Sequence, residues 1–159
     1  MSDEVNLEEF EALINIANLD DVFLSKVIEI YHQRLLNNES ALQKLALLGI
    51  SPENVKSHQL GYCDRTLNKY VKPLEHAEGA NFRGALRRNE LTNESGHELF
   101  RGCIVEPIFE NNALVAVCGV KLLTPSKAAP RVIQWYRDTV YRYPVYFYIM
   151  TMAKHYVAH

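Results

Sequence analysis

The sequence predicts an α+β fold: N-terminal helices, a small mostly antiparallel sheet centred on a hairpin at about 99–123, and an aromatic C-terminal helix. Three observations carry this. Apolar residues recur at helical spacing through the first third of the chain. Two Val- and Ile-rich runs then flank Glu110-Asn111-Asn112, a polar stretch of turn formers. The last third concentrates Tyr and Trp among arginines.

The elements follow in order. Asn6 or Asp3 can cap a first helix whose opening acids suit a helix N-terminus, with Leu7, Phe10, Leu13, Ile14 and Ala17 as its stripe. Val22–Asn37 is the next helix, facing Phe23, Val27, Ile30, Tyr31 and Leu35 inward. Glu39–Leu48 is the third, ended by Gly49 at C′. Ser51 followed by Pro52 reads as an N-cap with Pro at N1, opening a short helix over Pro52–His58. Tyr62–Leu67 is a short extended segment or loop. Residues 68–98 are the least regular stretch, with a helix or turn around Phe82–Asn89.

The hairpin carries Gly119, which marks a bulge or a close backbone approach, and Pro107, which keeps its position off a central ladder. Pro130 then starts a helix over Arg131–Arg142, interrupted at Pro144 and resumed over Val145–Val157. Three units result: an acidic helical extension at 1–26, a central domain at 27–123, and an aromatic segment at 124–159 packed on that domain.

A chain of 159 residues can bury a core without staples. Cys63, Cys103 and Cys118 are an odd set without C-x-x-C spacing, so neither a disulfide framework nor a zinc site is expected, and a reducing cytoplasm fits. The acidic N-terminus lacks the n- and h-regions of a signal peptide, and Val145–Ala153 is far short of the ~20 apolar residues that cross a bilayer. No membrane association, metal or cofactor is expected. Charge is uneven: residues 1–64 carry 11 acidic and 4 basic side chains, residues 65–159 carry 8 and 13. That permits a polyanion-binding face, and a solvated charged surface explains it as well.

Several motifs in a fixed order point to a family. Leu48-Gly49-Ile50-Ser51-Pro52-Glu53-Asn54-Val55 is followed by Leu60-Gly61-Tyr62 and by Phe100-Arg101-Gly102-Cys103-Ile104-Val105-Glu106-Pro107-Ile108. Leu114–Leu123 supplies a glycine-bearing strand. Together they resemble the N-terminal subdomain of the catalytic core of DnaG-type bacterial DNA primases. Leu60–Leu67, with its Arg65-Thr66-Leu67, and Ser95-Gly96-His97-Glu98-Leu99-Phe100 resemble the variant found in mobile-element primases. The resemblance covers roughly Val27–Leu123. The family's zinc-binding module has no counterpart, and after Leu123 Asp138 is the single acid, where the family's Toprim subdomain holds Mg²⁺ with several. The family's basic residue in the glycine strand stands here as Val120, with Lys121 adjacent.

The resemblance implies a basic groove for single-stranded DNA or RNA, since Lys and Arg neutralise phosphates while aromatic faces stack bases. By position, Arg65, Arg101 and Lys121 belong to it. Lys69, Arg83, Arg87 and Arg88 join on charge density, with pairing to Glu78, Glu90, Glu94 and Glu98 as the competing reading. The expected function is a primase-like accessory protein from a mobile genetic element. It would not be catalytic by itself and would act beside a replication protein that bears zinc and Toprim modules. The alternative is a protein–protein adaptor or oligomeric module that keeps the fold without nucleic-acid binding. Trp135, Tyr136, Tyr141, Tyr143, Tyr146, Phe147, Tyr148 and Tyr156 either stack bases, interleaved with Arg131, Arg137 and Arg142, or pack on the sheet or across a homodimer interface. His97 beside Glu98 reads as structural before acid–base. His155 and His159, four apart, sit at the extreme C-terminus, where fraying argues against a metal site.

Overall fold

The computed structural model describes residues 20–74, 76–124, 130–137 and 145–157. The expected first helix at Leu7–Ala17, residues 125–129, Pro144, Arg142 and His159 lie outside them, as do the side chains of His155 and Tyr156.

Helix α1 runs through 20–36 and buries Leu24, Val27, Ile28, Ile30, Tyr31 and Leu35. Helix α2 spans Glu39–Leu47, where the Asn38 side chain accepts from Ala41 N–H. Helix α3 spans Pro52–Ser57, with Ser51 Oγ accepting from Asn54 N–H at 3.2 Å and Pro at its start, as the sequence indicates. Strand β1 (Gly61–Tyr62) follows, then helices α4 (Leu67–Val71) and α5 (His76–Arg88). The stretch expected to be irregular is therefore largely helical: Gly79 and Gly84 lie inside α5, and Phe82, Ala85 and Leu86 form its buried face. Tertiary burial overrides the modest propensity cost of glycine there.

Three helices end alike. After α2, α3 and α5 the residues Gly49, Gln59 and Glu90 take φ of 90°, 51° and 60°. The following N–H groups of Ile50, Leu60 and Leu91 reach back to Leu45, Val55 and Leu86 carbonyls at 2.9 Å. These are Schellman closures, each burying the apolar residue after the left-handed one.

The sheet has four antiparallel strands in the order β1-β2-β3-β4, with β2 at Ile104–Glu110, β3 at Ala113–Val120 and β4 at Val132–Tyr136. β2 and β3 form the expected hairpin. Asn111 and Asn112 both have positive φ, 51° and 66°, the turn whose twist matches the flanking strands. The register shift falls between Ile108 and Phe109, opposite Val115, so that Leu114 and Ala116 face opposite sides of the sheet.

One expectation needs correction and two are narrowed. Arg131–Arg142 is not helical where described: Val132–Tyr136 is a strand paired with β3, and its β-branched and aromatic residues suit that role. Pro107 lies within β2, paired with Val117; β1 covers only Ile104 and Val105, so the outer side of β2 at Pro107 has no strand partner among the described residues. At Gly119 the structure selects close approach over a bulge: a Cβ there would stand 2.5 Å from Phe100 Cδ1 and 3.1 Å from Cys103 Cβ.

Helices cover both faces. On one, α1, α4 and α5 pack against Val105, Leu114, Val117 and Trp135. On the other, α2, α3 and α6 (Tyr148–Val157) pack against Ile104, Ala116, Cys118 and Val120. The carboxylate of Glu106, 3% exposed, accepts from Tyr148 N–H at 3.2 Å and Ile149 N–H at 2.9 Å, capping the start of α6. His58 stacks on Tyr148 at 4.2 Å, and the Tyr148 hydroxyl accepts from Asn54 Nδ2, tying α3 to α6.

Burial raises the Glu106 carboxyl above the ordinary glutamate value, against the pull of the Ile149 and Tyr148 N–H groups and of His58. The ionised form is thus disfavoured by folding. This group's contribution to stability is greatest below its unfolded value, about 4.3, and falls as pH rises through the native value. Glu106→Gln keeps an acceptor and removes the titration. In urea melts the variant should gain stability relative to the parent between about pH 4 and about pH 7; a constant difference, or one of opposite sign, would contradict the assignment.

Candidate nucleic-acid interface

The loop after β1 sets Arg65. Asp64 Oδ1 accepts from Thr66 N–H at 3.1 Å and from the Thr66 hydroxyl, an Asx turn that leaves Arg65 at φ 68°. The turn at 98–103 sets Arg101 and Gly102. Arg101 N–H and Cys103 N–H reach the carbonyls of Glu98 and Phe100 at 3.3 and 2.8 Å, and Gly102 takes φ 80°. Cys63 N–H donates to Cys103 carbonyl at 3.0 Å and Gly102 N–H to Cys63 carbonyl at 2.8 Å, so the two loops are continuations of the β1–β2 pair. Lys121 follows the last residue of β3, and its N–H donates to the Arg131 carbonyl at 3.1 Å across to β4.

These links bring three of the expected residues to one end of the sheet. A Cβ on Gly102 would lie 3.6 Å from Arg65 Nη2 and 3.8 Å from Lys121 Cε. The two side chains thus flank one point of bare backbone, next to Arg101. Arg65 and Arg101 are exposed and Lys121 is half-buried. Arg101 Nη1 donates to the Glu98 carbonyl at 3.1 Å, which fixes the root of its guanidinium. Burial pushes the Cys103 thiol up to about 11, opposed by Lys121, Arg131 and Arg101, which surround it. Arg131, read in the sequence among the aromatics of a helix and not in the groove, lies beside Lys121 because residues 132–136 form a strand.

Of the other candidates, Arg88 sits elsewhere. Arg88 bonds Asp20 at 2.7 Å, joined by Asn89 Nδ2 at 3.1 Å. Burial alone would raise Asp20, but the Arg88 and Asn89 hydrogen bonds and the Arg88 and Arg137 charges hold it below the ordinary range. Arg137 pairs with Asp21, and Trp135 Nε1 donates to the Asn89 carbonyl at 2.7 Å. Arg88 therefore stands by the Arg137 end of β4, roughly 20 Å of strand from Arg131 at the six-residue spacing. Arg83 folds back over its own helix toward Gly79, Arg87 Nη2 is 3.5 Å from the Glu94 carbonyl, and Lys69 is exposed on α4. Glu98 pairs with none of these arginines through its carboxylate, which is buried against Tyr31 and Cys63, while His97 is exposed. Among the described residues, no group of three or more His, Cys, Asp or Glu could hold a metal ion, and no helix is long and apolar enough to cross a membrane.

No family model and no curated protein matches the sequence. Solved structures do resemble it. The DnaG primase catalytic domain bound to ssDNA superposes with a TM-score of 0.59 at 18% identity, covering 81% of this chain and 42% of that one. The Aquifex aeolicus primase, in a structure of its zinc-binding and RNA polymerase domains, gives 0.62 at 22%, covering 80% and 31%. A DnaG catalytic core gives 0.58 at 16%, covering 77% and 39%. The chain has the fold of part of a DnaG primase catalytic core, and it spans less than half the length of these structures.

The left-handed backbone at Arg65 separates stability from charge. A non-glycine residue there carries about 1 kcal/mol of strain. In urea melts Arg65→Gly should be at least as stable as Arg65→Ala and exceed it by up to about 1 kcal/mol. A glycine variant clearly less stable than the alanine one would contradict the strained assignment.

Proposed function

We propose that this protein binds single-stranded nucleic acid through the cationic end of its sheet. It would serve as a primase-like accessory module that makes no primers by itself. The observation that carries the reading is the meeting of Arg65 and Lys121 over Gly102, beside Arg101 and one strand from Arg131. Cations converging from three loops, around backbone with no side chain, suit a phosphodiester chain lying close to the surface. The solved structure holding ssDNA on a DnaG catalytic domain supports the same ligand class.

Phosphoryl transfer by metal ions needs carboxylates that clamp them beside the triphosphate, and the non-catalytic part of the proposal draws on the described residues, where no group of three or more His, Cys, Asp or Glu could hold a metal ion. A partner bringing those acids would complete the chemistry, and the mobile-element setting rests on the Leu60–Leu67 and Ser95–Phe100 motifs. An adaptor role draws on a different observation: Tyr146 is 68% and Val132 40% exposed, Val132 lying in the register of the sheet face that α6 covers.

The test is fluorescence anisotropy with labelled oligothymidylate over a salt series. The parent should bind with affinity falling steeply as salt rises. Replacing Arg101 and Lys121 by Ala should flatten the log–log slope by about 1.4, since each phosphate contact on a single strand contributes about 0.7. The Arg83→Ala/Arg87→Ala pair should change it far less. Absence of binding by the parent at low salt would overturn the reading in favour of the adaptor.

A further inference from the structure

We propose that Glu98 is a positioning residue for the cationic end of the sheet, holding Arg65 and Arg101 at their working separation through a buried hydrogen-bond hub. The inference rests on the nucleic-acid reading above and adds to it a residue that touches no ligand.

Glu98 is 8% exposed, in a loop pinned by the Thr92↔Glu98 bridge and by Leu99 N–H to the Leu91 carbonyl at 2.8 Å. Its Oε1 accepts from the Tyr31 hydroxyl at 2.5 Å and from the Cys63 thiol at 3.4 Å. Tyr31 belongs to α1, whose backbone rests directly on β1: a Cβ on Gly61 would fall 2.6 Å from the Tyr31 carbonyl carbon. Cys63 leads directly into the Asx turn that carries Arg65. The other end of Glu98, its carbonyl, accepts from both the N–H and the Nη1 of Arg101. One residue thus joins the helix layer, the strand edge leading to Arg65, and the turn bearing Arg101.

A buried carboxylate is costly unless its oxygens are satisfied, and here two protein donors turn toward one oxygen. Burial, with the charge of Glu98, pushes both the Tyr31 hydroxyl and the Cys63 thiol up, so both keep their protons at neutral pH and remain donors. A polar hub in an otherwise apolar layer fixes one arrangement of the segments that meet on it; hydrophobic packing alone tolerates sliding. None of the three side chains is needed for charge at the surface.

The experiment compares the full chain with Tyr31→Phe and Glu98→Gln. Each is measured for thermal melting, for oligothymidylate binding over a salt series, and for amide hydrogen exchange at Gly102 and, as a distant control, Val55. Tyr31→Phe keeps the ring in the core and removes one donor, so it decides alone if Glu98→Gln does not fold. The expected result is a folded variant whose Gly102 exchange rises about tenfold while Val55 is unchanged, and whose salt slope falls by about 0.7, one phosphate contact. Folded variants with parental Gly102 exchange and parental slope overturn the proposal. If the parent itself fails to bind while Gly102 exchange still rises in the variants, the nucleic-acid reading falls and the hub stands.

Discussion

The arrangement depends on the contact between the Phe100 ring and the bare backbone of Gly119. No side chain fits between them, since even a Cβ would come within 2.5 Å of the ring. Phe100, 2% exposed, is thereby pressed onto β3, an inner strand of the sheet, and the turn that carries it is drawn across the end of that strand. Arg101 and Gly102 follow by covalent necessity to the point where Lys121 leaves the strand. A larger residue at 119 would force either the ring or the strand aside, and interiors at crystal-like density absorb such changes poorly.

Two buried carboxylates organise what surrounds that contact. Glu106 faces the side of α2, α3 and α6, where it receives the first N–H groups of α6. Glu98 faces the side of α1, α4 and α5, where it receives a phenol and a thiol. In each case a charged group in an apolar layer is matched by donors from a separate segment, which specifies docking more sharply than apolar area does. The apolar area supplies the driving force. The sheet is covered on both faces, and the single strand edge carrying Gly61 lets α1 lie against it at backbone distance.

The parts of this fold legible in the sequence are those signalled by chemistry with one structural meaning. Ser51-Pro52 opened α3 and Gly49 closed α2 as read, because a hydroxyl before proline and a glycine after an apolar helix have few alternatives. The same Schellman closure at Gln59 and Glu90 was invisible, since neither residue advertises a left-handed backbone. α5 was under-read because its two glycines look like breaks, yet Phe82 and Leu86 bury its face. Pro130 suggests a helix start where β4 lies, and the strand shows in the alternating burial of Val132–Tyr136, which its residue types Val-Ile-Gln-Trp-Tyr do not spell out. Of the candidate site, Arg65, Arg101 and Lys121 were named from motif order, whereas Arg131 and Glu98 depended on pairings between residues distant in sequence. Charge density alone selected Arg83, Arg87 and Arg88, and of these Arg88 is engaged by Asp20.

The central claim is that a cationic surface at one end of the sheet receives a single strand. Mapping backbone amide shifts during titration with unlabelled oligothymidylate tests it most directly. The account predicts saturating shifts grouped at Arg65, Gly102 and Lys121, spreading to Arg131, with Val55 and Leu47 unmoved. Shifts grouped instead on α2 and α3, or none at saturating oligonucleotide, would contradict it.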